Sequence, residues 1–504
     1  MTESLRRDGT DFIILSQRRV DLSLTQRYAR GGVQAATRPR AGLSPPDRLP
    51  KTAGSDANLL SPEQSGQRAR PKEARMSARS TARNLPVRPN LDQLRRQARD
   101  LLRAIRRGDP SAIEEFNRSH PNPMAPPEAK LADAQLALAR SYQAPSWLRL
   151  VKACRLIDAI WRDDIQTVRH LIVKNPHLLH EDALIRHSNW GPPMSYAANL
   201  GRNQIVKMLH DLGAKDHMHA GGRAVLQSKI DTARMLWELM GTPRVPQDAL
   251  GGPAYTLSAS GTALMFEFGA RVRDENGRRL APVDVVLETD SRNPSAKHEI
   301  LEMYVQHGFE LPDTPTMALH RGRLDLLEEH LRHDPQLLQR TFTHEEIYPP
   351  ELGCHDEVQA TQGTPLAGTT LLHMCADYDE IEIARWLLER GMDANALAAV
   401  DREGFGGHTA LFATVVSQPN FWMNHQRRAQ VAPFTQLLLD HGANPNARAS
   451  LCKKLHPRYA PKYDVETRHE YRDVTPLSWG KRFHAKVFVS EPAMQLIALH
   501  GGHE

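Results

Sequence analysis

Two distant stretches of this chain are versions of one another. Ala159–Leu179 (AIWRDDIQTVRHLIVKNPHLL) and Ala318–Leu338 (ALHRGRLDLLEEHLRHDPQLL) align without a gap over 21 positions. Ala159/Ala318, Arg162/Arg321, Pro176/Pro335, Leu178/Leu337 and Leu179/Leu338 are identical, and Ile165/Leu324, Val168/Leu327 and Ile172/Leu331 stay apolar at helical spacing. Each unit reads as a short helix, a polar turn, a longer helix and a stop at proline. A unit this small cannot bury its own apolar stripe, so the copies must stack on one another. That single constraint excludes most folds and points to a helical solenoid.

Further copies have better starts and finishes. In GTTLLHMCADYDEIEIARWLLERGMDAN (368–395), Thr370 is placed to cap a short helix, and Ile381, Ile383, Ala384, Leu387 and Leu388 form the inward stripe of a second. Gly391 stands where a left-handed cap is needed. Similar material recurs at 195–216, 407–446 and 474–502, and weaker copies occupy 224–241, 256–272 and 282–311. Unit starts at about 159, 195, 224, 256, 283, 317, 371, 410 and 476 leave surplus residues near 340–367 and 448–472, which are expected to be insertions.

The residues Gly368, Thr370, Leu372, His373 and Ala376, then Leu387, Leu388, Gly391 and Asn395, resemble the ankyrin repeat. Thr409, Gly442 and Asn446, and then Thr475 and Pro476, continue the likeness in the last two units. Leu371 replaces the usual proline and Cys375 an alanine. The resemblance implies an all-α solenoid over 155–504. Within it Thr370 caps a helix and His373 hydrogen-bonds backbone and neighbouring units. It also implies a non-catalytic protein-binding module reading an unknown partner through its concave face and inserted loops. Residues 89–154, with helical spacing at Leu91, Leu94, Ala98, Leu101 and Ile105, look like the helical leader of some bacterial ankyrin-repeat proteins. The arginines Arg95, Arg96, Arg99, Arg103 and Arg106 lie away from that stripe and read as a solvated face.

Composition bounds the rest. Residues 1–90 hold 17 Lys and Arg against 8 Asp and Glu, so the net charge of +6 belongs to this segment and the remainder is slightly acidic. Residues 1–88 are rich in Arg, Pro, Ser and Gly and lack periodicity, which predicts a disordered basic tail. Met76 opens a second reading in which translation starts there and the tail is absent. Nucleic-acid association is expected only through that tail, with a steep salt dependence. The four cysteines form no CxxC pair and no apolar run reaches membrane-spanning length, which points to a reducing, cytoplasmic setting with no membrane contact.

His373, Cys375, Asp377, Asp379 and Glu380 fall within eight positions, but in the repeat plan they are scaffold. The sequence HMH (217–219) is placed in an exposed loop, and His344, Cys354, His355 and Asp356 form a loop cluster that lacks a second ligand pair. A metal-dependent or hydrolytic activity from these loops is the alternative reading; no cofactor, metal or catalytic residue is assigned. No P-loop, dinucleotide fingerprint or HExxH occurs. Candidate partner contacts are the aromatic and basic residues of the insertions: Tyr348, Phe421, Trp422, Arg458, Tyr459, Tyr463 and Tyr471.

Overall fold

The computed structural model describes residues 83–289, 291–355, 363–426, 431–455 and 467–504. The tail, the Met76 alternative, Asp356, Arg458, Tyr459 and Tyr463 therefore lie outside the described residues, as does the side chain of Trp422.

Three leader helices come first: α1 (Leu91–Arg106), α2 (Pro110–Ser119) and α3 (Leu131–Ser141). Asn90 caps α1 by accepting from the Gln93 N–H at 2.9 Å, and Leu94, Ala98, Leu101 and Ile105 are its buried stripe. The next helix, α4 (Trp147–Trp161), packs on α1 and α3 and runs straight through Cys154. It closes the leader and opens the array at once, so a boundary at 154 divides one helix.

From α4 onward the helices come in pairs. They are α4 with α5 (Ile165–Lys174), α6 (Pro193–Asn199) with α7 (Asn203–Asp211), α8 (His217–Leu226) with α9 (Ile230–Leu239), and α10 (Gly251–Thr256) with α11 (Ala259–Glu267). Next are α12 (Val283–Glu288) with α13 (Pro294–Gln306) and α14 (Pro315–His320) with α15 (Leu324–His333). A one-turn helix, α16 (His344–Ile347), precedes α17 (Leu371–Tyr378) with α18 (Ile381–Glu389). Last come α19 (Ala410–Val415), α20 (Gln418–Gln426) and α21 (Pro433–Asp440), then α22 (Pro476–Arg482) with α23 (Glu491–Leu499). The two aligned stretches take one conformation: α5 and α15 each run into a short 3-10 turn opened by Pro176 or Pro335, with Val168 and Leu327 completely buried.

Polar links set the register between units. Asn395 donates its amide to the Gly442 carbonyl at 2.9 Å and accepts from the Asn444 N–H at 2.6 Å. Asn446 repeats the clasp one unit on, with Gly501 at 3.0 Å and His503 at 2.8 Å. His373 donates Nε2–H to the His408 carbonyl at 3.0 Å, and His408 donates to the Pro365 carbonyl at 3.1 Å. Burial holds both imidazoles neutral, with His373 down at about 4 and His408 at about 3. Thr370 is the N-cap of α17 in a capping box with His373, and its hydroxyl also pairs with the His373 ring at 2.9 Å. Thr475 caps α22, whose first residue is Pro476, and also reaches the His503 carbonyl at 2.7 Å.

The insertions depart from the sequence reading. Two strands, β1 (Ala449–Leu455) and β2 (Thr467–Val474), pair antiparallel, with Leu451, Tyr471 and Val474 buried. The segment holding Phe421 is the helix α20. Residues 342–352 of the first insertion lie against the first helices of the middle units. Ile347 and Tyr348 are buried there, and the Ile347 carbonyl accepts from His320 at 3.0 Å.

The loops preceding the first helices are joined edge to edge by backbone hydrogen bonds. Phe342 N–H donates to Thr369, Ala399 N–H to Gly368 and Gly406 N–H to Ser450, at 2.8, 2.7 and 2.6 Å. These loops are called fingers below. Gly406 has φ 125°, and a Cβ there would lie 2.0 Å from the Ala399 carbonyl oxygen, whereas one at Gly391 (φ 90°) would meet nothing within 4 Å. Gly391→Ala is therefore expected to cost about 1–2 kcal/mol, the strain of a left-handed alanine. Gly406→Ala should cost clearly more, because its Cβ must also push aside the Ala399 carbonyl; urea melts of both variants compare them directly.

Candidate functional site

The acid-rich stretch at 373–380 is structural. Asp377 pairs with Arg292 at 2.9 Å and Glu380 with Lys297 at 2.8 Å, all four side chains being at least 96% buried. Arg292 also donates to the carbonyls of Asp377 (2.9 Å) and Ser291 (3.1 Å). Its guanidinium lies 4.7 Å from the Tyr378 ring centre, and the Lys297 ammonium lies 4.3 Å from it. The Tyr378 hydroxyl donates to the Leu287 carbonyl and shares a hydrogen bond with the Tyr348 hydroxyl, both at 2.8 Å. Burial raises the Glu380 carboxyl, but Lys297 and His298 outweigh it and hold the group ionised. Asp379, in the left-handed region at φ 61°, is pushed up to about 6 by burial and by Glu380. Cys375 is buried and its thiol is pushed well up, so it is no nucleophile. These groups form a clamp across a seam: α12–α13 on one side, α17–α18 on the other, and the α14–α15 pair between.

Among the described residues, the loop candidates for metal or catalysis are engaged in other bonds. His344 spends Nε2 on the His355 carbonyl at 2.9 Å, and His355 pairs with Glu288 at 2.7 Å. Cys354 is half-buried, and burial with the nearby Glu288 and Asp284 raises its thiol. His217 and His219 lie in the first turn of α8, not in a loop. His217 bonds to His210 at 2.7 Å and His219 to Ser195 at 2.8 Å. Among the described residues, no group of three or more His, Cys, Asp or Glu could hold a metal ion.

One pocket opens on the fingers of the last three units. It holds about 200 Å³ and is lined by Pro365 and Ala367, by Ala399, Asp401, Glu403, Phe405, Gly406 and His408, and by Leu451, Cys452 and Lys453 of β1. Its central finger is a tight turn closed by Asp401, whose Oδ1 accepts from the N–H groups of Glu403 and Phe405 at 2.9 Å. Phe405 is buried beneath two guanidiniums of β2, with Arg472 4.1 Å and Arg468 5.3 Å from its ring centre. Arg468 is ion-paired to Glu403 and Glu470, and Arg472 to Glu470, so the rim's charges compensate one another. Beside the pocket, Leu397 is 58% and Val400 62% exposed.

Two sequence candidates are revised by burial. Tyr348 is 1% exposed and locked to Tyr378, and Tyr471 is 5% exposed with its hydroxyl on His484 at 2.8 Å. Neither is a surface contact; both fill the body that supports the insertions. Phe421 is half-buried against Phe488, ring centres 5.0 Å apart. Leu397, Val400 and Phe405 were missed because they lie in a finger of ordinary length; the DREG turn at 401–404 was the available signal.

Residues 368–396 match the ankyrin repeat family. The chain carries an ankyrin repeat at these residues. No curated protein sequence matches it. Among solved structures it is similar to the human ASB11 ankyrin repeat domain, at 16% identity over 62% of this chain and 99% of that one. The TM-score of that overlay is 0.24, too loose to carry an argument. Among the described residues, no helix of this chain is long and apolar enough to cross a membrane.

Asp377→Ala strands a buried guanidinium and should cost about 3–5 kcal/mol, while the double change with Arg292→Met should restore most of that. Chemical denaturation of the two variants checks this; equal losses would refute the clamp. The unfolded His373 takes a proton near pH 6.5, whereas the folded one resists until about 4. The unfolded state therefore binds more protons in that window, and stability falls as pH drops through it, by about 3 kcal/mol for this group. Asp379 acts in the opposite sense between its ordinary value and about 6, offsetting part of the slope. Denaturation at pH 7 and pH 4.5, with His373→Gln removing the first contribution, reads the balance.

Proposed function

We propose that this ankyrin-repeat protein is a non-catalytic binding module that takes a protein partner on its finger side, in the pocket between the Ala399–Phe405 finger and β1. The observation that carries this reading is the pocket itself, flanked by exposed Leu397 and Val400. At about 200 Å³ it falls short of the roughly 300–1,000 Å³ of small-molecule sites and suits one anchoring side chain. The compensated rim offers no net charge, so the anchor is a neutral apolar side chain, and Leu397 and Val400 supply the surrounding apolar area. Rigid fingers joined by backbone bonds present this surface with little ordering to be done on binding.

Two features favour the finger pocket over the inner face of the middle units. Residues 342–352 already lie against the first helices there, with Phe342, Ile347, Tyr348 and Leu352 buried. The acid-rich stretch and the His/Cys loop have their chemistry committed to structural bonds. A reducing, cytoplasmic setting accords with four free cysteines among which Cys154 and Cys375 are buried.

Selection of a displayed random-peptide library on the full chain tests the proposal. Enriched peptides should share one apolar anchor, and Leu397→Asp with Val400→Asp should weaken the selected peptide at least about tenfold, equivalent to about 1.4 kcal/mol. The melting temperature should not move, because both side chains are exposed. A photo-crosslinker at Val400 should label the peptide. Crosslinks confined to the second-helix face, or full binding by the double variant, would overturn the assignment.

A further inference from the structure

Away from the fingers, α1 turns a row of arginines to solvent. Arg95, Arg96, Arg99, Arg103, Arg106 and Arg107 are all exposed, against Asp92 and Asp100 on the same helix. The acids hold Arg95 at 2.9 Å and Arg103 at 3.0 Å, and Arg106 is tied to the Ala129 carbonyl at 2.8 Å. Asp109, the nearest acid to Arg107 in sequence, is engaged in capping α2 through the Ser111 and Ala112 N–H groups. Among the described residues, Arg96, Arg99 and Arg107 have no carboxylate in ion-pair contact. With Arg103 they follow one another at steps of three, four and four residues, so the four guanidiniums share one face. At about 1.5 Å per residue the row is about 16 Å long.

We propose that this face docks the phosphodiester backbone of nucleic acid, independently of base sequence and of the finger pocket. The row spans on the order of five nucleotide rises at about 3.4 Å per strand, and guanidinium forks match phosphate oxygens. The alternatives fit less well. The apolar residues of α1 are turned inward, with Leu94, Ala98 and Ile105 at most 4% exposed, so nothing on the face can insert into a lipid interface. For the same reason the face lacks the apolar centre of a protein–protein interface. What it offers is charge in a line, which is what a backbone contact requires.

The test uses the full chain with a labelled 20-nucleotide single strand and a 20-base-pair duplex, titrated between 50 and 200 mM salt. Arg96→Glu/Arg99→Glu/Arg107→Glu should weaken binding at least about tenfold at the lowest salt and reduce the log–log salt slope by about 2–3. The three Arg→Lys changes should retain most of the affinity, and circular dichroism and melting should be unchanged in both variants. Preference for the strand or the duplex distinguishes the two sources of the backbone, and either supports the proposal. It is overturned if the Glu variant binds like the parent, which assigns any binding to the basic N-terminal segment. It is equally overturned if polyglutamate, or phosphatidylserine vesicles, compete as well as unlabelled nucleic acid.

Discussion

A helix pair of this size cannot stand alone. Helices such as α10, α12 and α14 have six residues each, far below the length at which a helix holds itself together in water. Each is helical because a neighbour covers its apolar side, and the neighbour is helical for the same reason. Stacking is thus the condition for secondary structure here as well as its consequence. The polar clasps then decide how the stack is registered. Asn395 and Asn446 close on backbone groups of the following unit, and His373 and His408 bridge adjacent fingers while staying neutral. None of these bonds needs an exotic side chain, which is why a short motif carries the fold through so much sequence change.

The middle of the array solves the packing problem differently. Where neighbouring units bury aliphatic side chains, the seam between α13 and α17 buries Arg292, Lys297, Asp377 and Glu380 around the ring of Tyr378. Buried charge pairs are weak sources of net stability but poor tolerators of misalignment. A slip of one residue at an apolar seam exchanges one contact for a similar one; here it strands a charge. Residues 342–352 add Tyr348 to the same network, so this part of the insertion is held by the seam it lies against. The inner face is filled where the array is most polar, and the open surface is displaced to the fingers of the last units.

The repeat plan was legible because it rests on local signals. The proline stops at Pro176 and Pro335, the glycine at Gly391 and the spacing of Val168 and Leu327 are each within one unit, and each lies where the pattern puts it. What could not be read were properties of pairs distant in sequence. Nothing near Tyr348 announces Tyr378, and nothing near Asp377 announces Arg292, because partners across the seam are fixed by stacking and not by spacing. The strands Ala449–Leu455 and Thr467–Val474 were read only as part of an insertion, because neither alternates apolar and polar residues. The pocket was illegible for a third reason: its walls come from three fingers, and no single stretch contains enough of it.

The contact between Arg292 and Asp377 has a consequence for how the array comes apart. An ideal repeat array is a one-dimensional chain of couplings, each unit feeling only the next, so it can unzip from an end one link at a time. Here the coupling skips the α14–α15 pair, since the clamp joins the units on either side of it. Around that point the array behaves as a block with next-nearest-neighbour cohesion. The enclosed pair cannot be released without opening both flanks, and fraying that enters from either terminus meets the same barrier there.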